Sequence, residues 1–154
     1  MIYRALTVKQ PWASLLVAGI KTIENRSWST NYRGPLAIHA GQGVERNARA
    51  MIERSAGREL TDDEIERYHL HDRQPAGFVL GLVTLVDVVP VEQVTELRHQ
   101  RWKIGPYCWL VEPLQQFRLQ ELGWRTPGKL GLWNWDDRFS GLNAYSALAQ
   151  PHRD

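Results

Sequence analysis

Along the chain, apolar positions recur first at strand period and then at helix period. Ala5-Leu-Thr-Val8 is short, apolar and β-prone, and predicts a first strand. Pro11 suits the first turn of a helix, where its missing N–H leaves no bond unmade, and Trp12, Leu15, Leu16 and Gly19 follow at helical spacing. Gly19 is placed to end that helix in a left-handed conformation. Residues 22–28 predict a strand with Thr22, Glu24, Arg26 and Trp28 on one side and Ile23, Asn25 and Ser27 on the other. A polar turn over 29–34 leads to a strand over 35–40 that ends at Gly41 and Gly43.

Two helices are expected next. The first, over 44–55, sets Val44, Ala48, Met51 and Ile52 on one stripe. The second begins at Thr61, with Glu64 three residues on as a capping box and Leu60 and Ile65 as a hydrophobic staple. This stretch is acidic and polar, and reads as a cover over the sheet rather than a reacting surface. Residues 77–89 form the longest apolar run, predicting a strand buried on both faces or bent at Gly81. After Pro90 a short helix carrying Val91, Val94 and Leu97 is expected, then strands over 107–111 and 116–119, and a closing strand within 128–135. The tail beyond Asp136 is weakly amphipathic through Phe139, Leu142, Tyr145 and Leu148 and reads as a loosely packed final helix. No shift of composition divides the chain, so 1–154 reads as one domain, with a core over 5–135, a helical insert over 43–75 and a tail over 136–154.

Charge sharpens this picture. The net charge is only +2, yet residues 1–40 carry five bases, Arg4, Lys9, Lys21, Arg26 and Arg33, against the single acid Glu24. Positive charge gathered on one segment is what a phosphate-bearing partner selects, although a solvated face accounts for it equally. The lone Cys108 allows no internal disulfide and no cysteine-rich zinc site, favouring a reducing, cytoplasmic setting. The first residues predict no signal peptide, and no run approaches the roughly 18 apolar residues of a membrane span.

Lys21, Glu24 and Arg26 lie among the apolar Ile20, Ile23 and Trp28, which puts them at the margin of a core, where a charge needs a partner or a ligand. Lys21 can meet a phosphate, serve as a base with a pKa lowered by burial, or simply pair with Glu24. Glu24 and Arg26, two apart on a strand, can pair with each other, and Glu24 can bind a base amino group or act in proton transfer. Trp12, Trp28, Tyr32 and Trp109 can stack on a nucleobase or fill the core. His39 ends an apolar strand as a core histidine or a donor. His69 and His71 lack a third ligand at metal spacing, so neither a metal nor a cofactor is expected. Cys108, between Tyr107 and Trp109, reads as a buried thiol.

Gln10-Pro-Trp12, then Gly19-Ile-Lys21-Thr-Ile-Glu24-Asn-Arg26, Tyr32-Arg-Gly-Pro35, Ile38-His-Ala40 and Gly131-Leu-Trp133 together resemble the ASCH domain, a PUA-like family. The resemblance implies an α+β fold, a small β-barrel with flanking helices, and a cleft where the Lys21–Glu24 segment meets the barrel mouth. It implies a partner that is RNA or a modified nucleoside: Lys21, Arg26 and Arg33 meet phosphate, Gln10 and Glu24 read base edges, and Trp12 stacks, with Tyr32, His39 and Trp109 as further ligand-binding candidates. Some members resemble amidohydrolases of 4-acetylcytidine, in which a lysine activates a threonine three residues on. Here Glu24 occupies the threonine's place and Thr22 follows Lys21 directly. A metal-independent amidohydrolase with Lys21, Glu24 and Thr22 or a water, and a protein-interaction module, are the alternatives to a binding domain.

Overall fold

The computed structural model describes residues 1–68, 70 and 74–139; His69, His71 and the expected helix of the tail lie outside them. Six strands run β1 (Ile2–Gln10), β2 (Ile23–Arg26), β3 (Gly34–Val44), β4 (Val79–Pro90), β5 (Tyr107–Gln116) and β6 (Leu132–Asp136). Helix α1 (Trp12–Val17) follows β1, while α2 (Ala48–Ala56) and α3 (Asp62–Arg67) lie between β3 and β4. The sheet order is β2-β5-β4-β3-β1-β6. Among the described residues, only the β1–β3 pair is parallel.

Period-2 alternation puts a core on each face of this sheet. Leu6 and Val8 of β1 and Leu36 and Ile38 of β3 point into the larger core, with Val83 and Leu85 of β4 and Trp109 and Val111 of β5. Ala5 and Ala37, one position out of phase, face Phe117, Trp133 and Trp135 on the other side. Helix α1 lays Ala13, Leu16 and Val17 on the first face and touches β1, β3, β4 and β5. At about 1.5–3 kcal/mol for each fully buried aliphatic side chain, this burial rather than helix propensity holds a six-residue helix. Gly19 ends the turn at φ +74°, where a Cβ would stand 2.9 Å from Pro113 Cγ.

A third cluster ties α2 and α3 to the sheet, joining Ile52, Leu60, Ile65 and Tyr68 to Leu15, Ile23, Trp102 and Cys108. Thr61 and Glu64 form the expected capping box, and Leu60 and Ile65 are buried together. Helix α2 begins at Ala48, because Val44 still belongs to β3 and is exposed.

The α+β class stands, but the expected barrel does not close. The pairing order is linear, with β2 bonded only to β5 and β6 only to β1. The reason is length: β2 has four residues, and β6 covers β1 only from Ile2 to Leu6. Two further expectations change. The strand expected over 116–119 is instead the end of β5, followed by a 3-10 turn at Leu119–Glu121. The helix expected after Pro90 is two 3-10 turns, Val91–Gln93 and Leu97–His99.

Residues 79–83 of β4, by contrast, are all buried, as expected of a strand covered on both faces, and the β4–β5 register shifts between Leu82 and Val83, next to Gly81. A Cβ on Gly81 would collide with the Gln115 carbonyl, which is backbone and cannot yield cheaply. Gly81→Ala is therefore expected to destabilise the fold by roughly 1–3 kcal/mol, read as a lower urea midpoint with an unchanged m-value.

Candidate functional site

A cavity of about 900 Å³ opens where β1 and β2 fail to join. Residues 7–9 of β1 form one wall and residues 24–26 of β2 the facing one. Residues 41–43 of β3, the Met51, Ile52, Arg54 and Ser55 side of α2, and residues 101–104 complete it. The lining carries six cations, Lys9, Lys21, Arg26, Arg54, Arg101 and Lys103, against one carboxylate, Glu24.

At its base lies a buried ionic triad. Lys21, only 4% exposed, donates from Nζ to the Ile23 carbonyl and stands 3.5 Å from Glu24 Oε1. Arg26 Nη2 donates to Glu24 Oε2 at 3.2 Å and to the Thr7 carbonyl at 2.8 Å. That second bond spans the seam from β2 to β1. Burial pushes the Lys21 pKa down, opposed by the Glu24 carboxylate and aided by the Arg26 charge. The ammonium also lies 5.4 Å from the centre of the Trp12 ring. Lys21, Glu24, Arg26 and Trp12 thus open into one hollow. Arg26 Nε is buried with no hydrogen-bond partner.

The other candidates lie elsewhere. Trp109 is fully buried beneath Glu24, its partner across the β2–β5 ladder, and its indole N–H donates to the Trp28 carbonyl at 3.2 Å. Trp28 packs edge-on against it in the core. Tyr32 bonds the Pro35 carbonyl and packs on the core, while Arg33 pairs with Asp87 at 2.9 Å. Gln10 is buried against Ser14 and the Pro75 carbonyl, a link that fixes the start of α1. Thr22 does not share Glu24's side, because it precedes the β2 ladder; its Oγ1 lies 2.7 Å from His99 Nδ1 and donates to the Arg98 carbonyl at 3.4 Å. None of these six lines the cavity.

His39 is also sealed, 2.7 Å from the Thr126 carbonyl through Nε2 and 3.2 Å from Thr7 Oγ1 through Nδ1. A carbonyl only accepts, so Nε2 carries the proton and bare Nδ1 accepts from the hydroxyl. Desolvation lowers the His39 pKa, so the ring stays neutral at pH 7. Cys108 is buried, with its thiol pKa raised chiefly by desolvation. Among the described residues, no three His, Cys, Asp or Glu side chains come together as a metal set.

Three segments of the lining escape a sequence reading. Residues 101–104 are held by Asn25, whose Nδ2 donates to the Trp102 carbonyl at 2.9 Å and whose Oδ1 accepts from the Ile104 and Gly105 amides at 2.8 and 2.9 Å. Arg101 is steadied by the Tyr68 hydroxyl at 2.9 Å. Helix α2, expected as a mere cover, supplies the wall facing it, and Ser55 donates to the Arg101 carbonyl. The available signal was the run of bases Arg98, Arg101 and Lys103 after a stretch whose only charges are Asp87, Glu92 and Glu96.

Trp12 of Gln-Pro-Trp and the Lys21 and Glu24 of Gly-x-Lys-x-x-Glu line this hollow, and the ASCH domain family matches residues 6–126. The chain belongs to the ASCH family. It is similar to human "Activating signal cointegrator 1", 38% identical over 91 residues, and to the mouse protein of the same name, 40% identical over 92. Each match covers 59% of this chain and 15% of the relative, so this ASCH chain corresponds to a small part of those proteins. Among the described residues, no helix is long and apolar enough to cross a membrane.

The triad makes Glu24 the counter-charge for two cations. Glu24→Ala should lower stability by about 3–5 kcal/mol, since it strands a buried ammonium, and adding Lys21→Met should restore part of the loss; urea unfolding of both variants measures it. Acid gives the second test. Below pH ~6.5 the unfolded chain takes up a proton that native His39 refuses, so stability falls with pH until the lowered folded pKa is reached. Urea midpoints at successive pH values should fall in this window, with a shallower slope in His39→Gln.

Proposed function

We propose that the cavity of this ASCH chain binds a nucleoside or nucleotide unit of RNA. The observation that carries the reading is the lining itself: six cations to one carboxylate around a space of about 900 Å³. A volume in the range of small-molecule sites accepts a base with its sugar. Lys9, Arg54, Arg101 and Lys103 would meet phosphate, Arg26 adds a further cation to the lining, and the Trp12 ring supplies a stacking face. Glu24 accepts from a base amino group. The chain is read as one ASCH unit whose helical insert over 43–75 forms part of the site wall, acting in a reducing compartment such as the cytoplasm.

A second reading has one observation in its favour. A lysine with a lowered pKa stands 3.5 Å from a carboxylate inside a cavity, an arrangement suited to proton transfer in amide hydrolysis. Thr22 is turned away, so a water would have to serve as nucleophile, with the 4-acylated cytidine held above Lys21 and Glu24.

Fluorescence anisotropy with a short labelled RNA at low salt tests the binding reading. Arg101→Ala and Lys103→Ala are each expected to weaken binding and to reduce the slope of log K against log salt by about 0.7 where the phosphate contact is lost. Absence of binding to RNA and to nucleosides by the parent protein would overturn it. Acetate release from 4-acetylcytidine that survives a chelator and disappears in Lys21→Ala would move the assignment to the hydrolase.

A further inference from the structure

A second surface borders the cavity and plays no part in the reading above. Residues 122–131 join the turn at Leu119–Glu121 to β6 and carry Arg125 and Lys129 with no acid among them. The loop is pinned at three points. The Thr126 amide donates to the Gly77 carbonyl at 2.8 Å, the Thr126 carbonyl accepts from His39, and the Lys129 amide donates to Thr7 Oγ1 at 3.3 Å. Thr7 is the residue whose carbonyl receives Arg26, so loop and cavity share a wall. Gly128 presses so closely there that a Cβ would stand 2.8 Å from Thr7 Cγ2. Farther along, a Cβ on Gly77 would meet both Gln42 of the cavity and the Arg125 stem, placing that arginine at the rim.

On this fixed backbone two large apolar side chains stand in water: Trp124 is 71% exposed and Leu130 fully so. Arg125 lies over the Phe78 ring at 5.2 Å and Lys129 over the Trp133 ring at 5.6 Å. Among the described residues, neither cation is paired with a carboxylate. An exposed indole in one short loop with two cations that no carboxylate pairs offers a stacking face and phosphate donors on one segment, and every nucleobase offers a face to such an indole.

We infer that the ligand is a single-stranded polynucleotide rather than a free nucleoside, with one nucleotide in the cavity and a neighbour stacked on Trp124 under the charges of Arg125 and Lys129. This rests on the nucleotide reading of the cavity and extends it. The strand passes over the shared Thr7 wall, and sequence preference at the outer position is weak because stacking rather than hydrogen bonding holds it.

The test compares a mononucleotide with a short single-stranded oligonucleotide, in RNA and DNA forms, on the intact protein and on Trp124→Ala and Lys129→Ala. Trp124→Ala should weaken the oligonucleotide by roughly 5- to 150-fold, the equivalent of one lost stack, and leave the mononucleotide unchanged. Lys129→Ala should weaken the oligonucleotide and lower its salt slope by about 0.7. Because Trp124 is exposed, an unchanged thermal midpoint confirms that the variant folds. Tighter RNA than DNA binding assigns a contact to the 2′-hydroxyl, and equal binding assigns recognition to stacking and phosphate; both support the strand. An oligonucleotide affinity indifferent to Trp124 and Lys129 overturns this inference while the cavity reading stands. A Trp124 that binds a protein instead likewise overturns this inference alone, whereas a parent protein that binds neither probe overturns both.

Discussion

The Glu24 carboxylate, held between the Lys21 ammonium and the Arg26 guanidinium, is the interaction on which the rest of the structure depends. A charge as enclosed as that of Lys21 persists in a fold only where a counter-charge and hydrogen bonds replace water. Glu24 supplies the first and the Ile23 carbonyl the second. Arg26 then does two things with one nitrogen, completing the ion pair and reaching the Thr7 carbonyl across the seam. The charges that would be anomalous in a core thereby join strands that share no ladder.

That seam explains both the fold and the hollow. Paired edges would leave no room for a ligand, and fully separate edges would leave exposed backbone groups that invite aggregation. Here β6 shields the first half of β1, α2 and the 101–104 segment cover the gap from outside, and the remaining space is lined by side chains. Asn25 is central to this arrangement: three bonds from one amide side chain hold the segment that brings Arg101 and Lys103 to the rim.

What could be read in the sequence were the local signals. Helical spacing from Trp12, alternation through Ile23–Arg26 and the reciprocal cap of Thr61 and Glu64 are each decided within a few residues. The Lys21–Glu24–Arg26 grouping was legible for the same reason, because strand geometry alone sets two of its members side by side. The hidden features depend on distant contacts. Whether a tryptophan stacks or packs is not written in its neighbours: Trp109 lies under the ladder, while Trp124, in a polar loop, stands in water. Thr22 shows where the alternation rule stops, one residue before the ladder begins. Likewise, closure of a barrel is decided by how far β2 and β6 extend, which depends on the sheet as a whole rather than on either segment.

The single guanidinium across the seam has a mechanical consequence. The two walls of the hollow belong to remote ends of one sheet, so its width is set by how tightly that sheet curls. Widening or narrowing it means stretching or exchanging the side-chain tether at Arg26, while every rung between β2 and β6 stays intact.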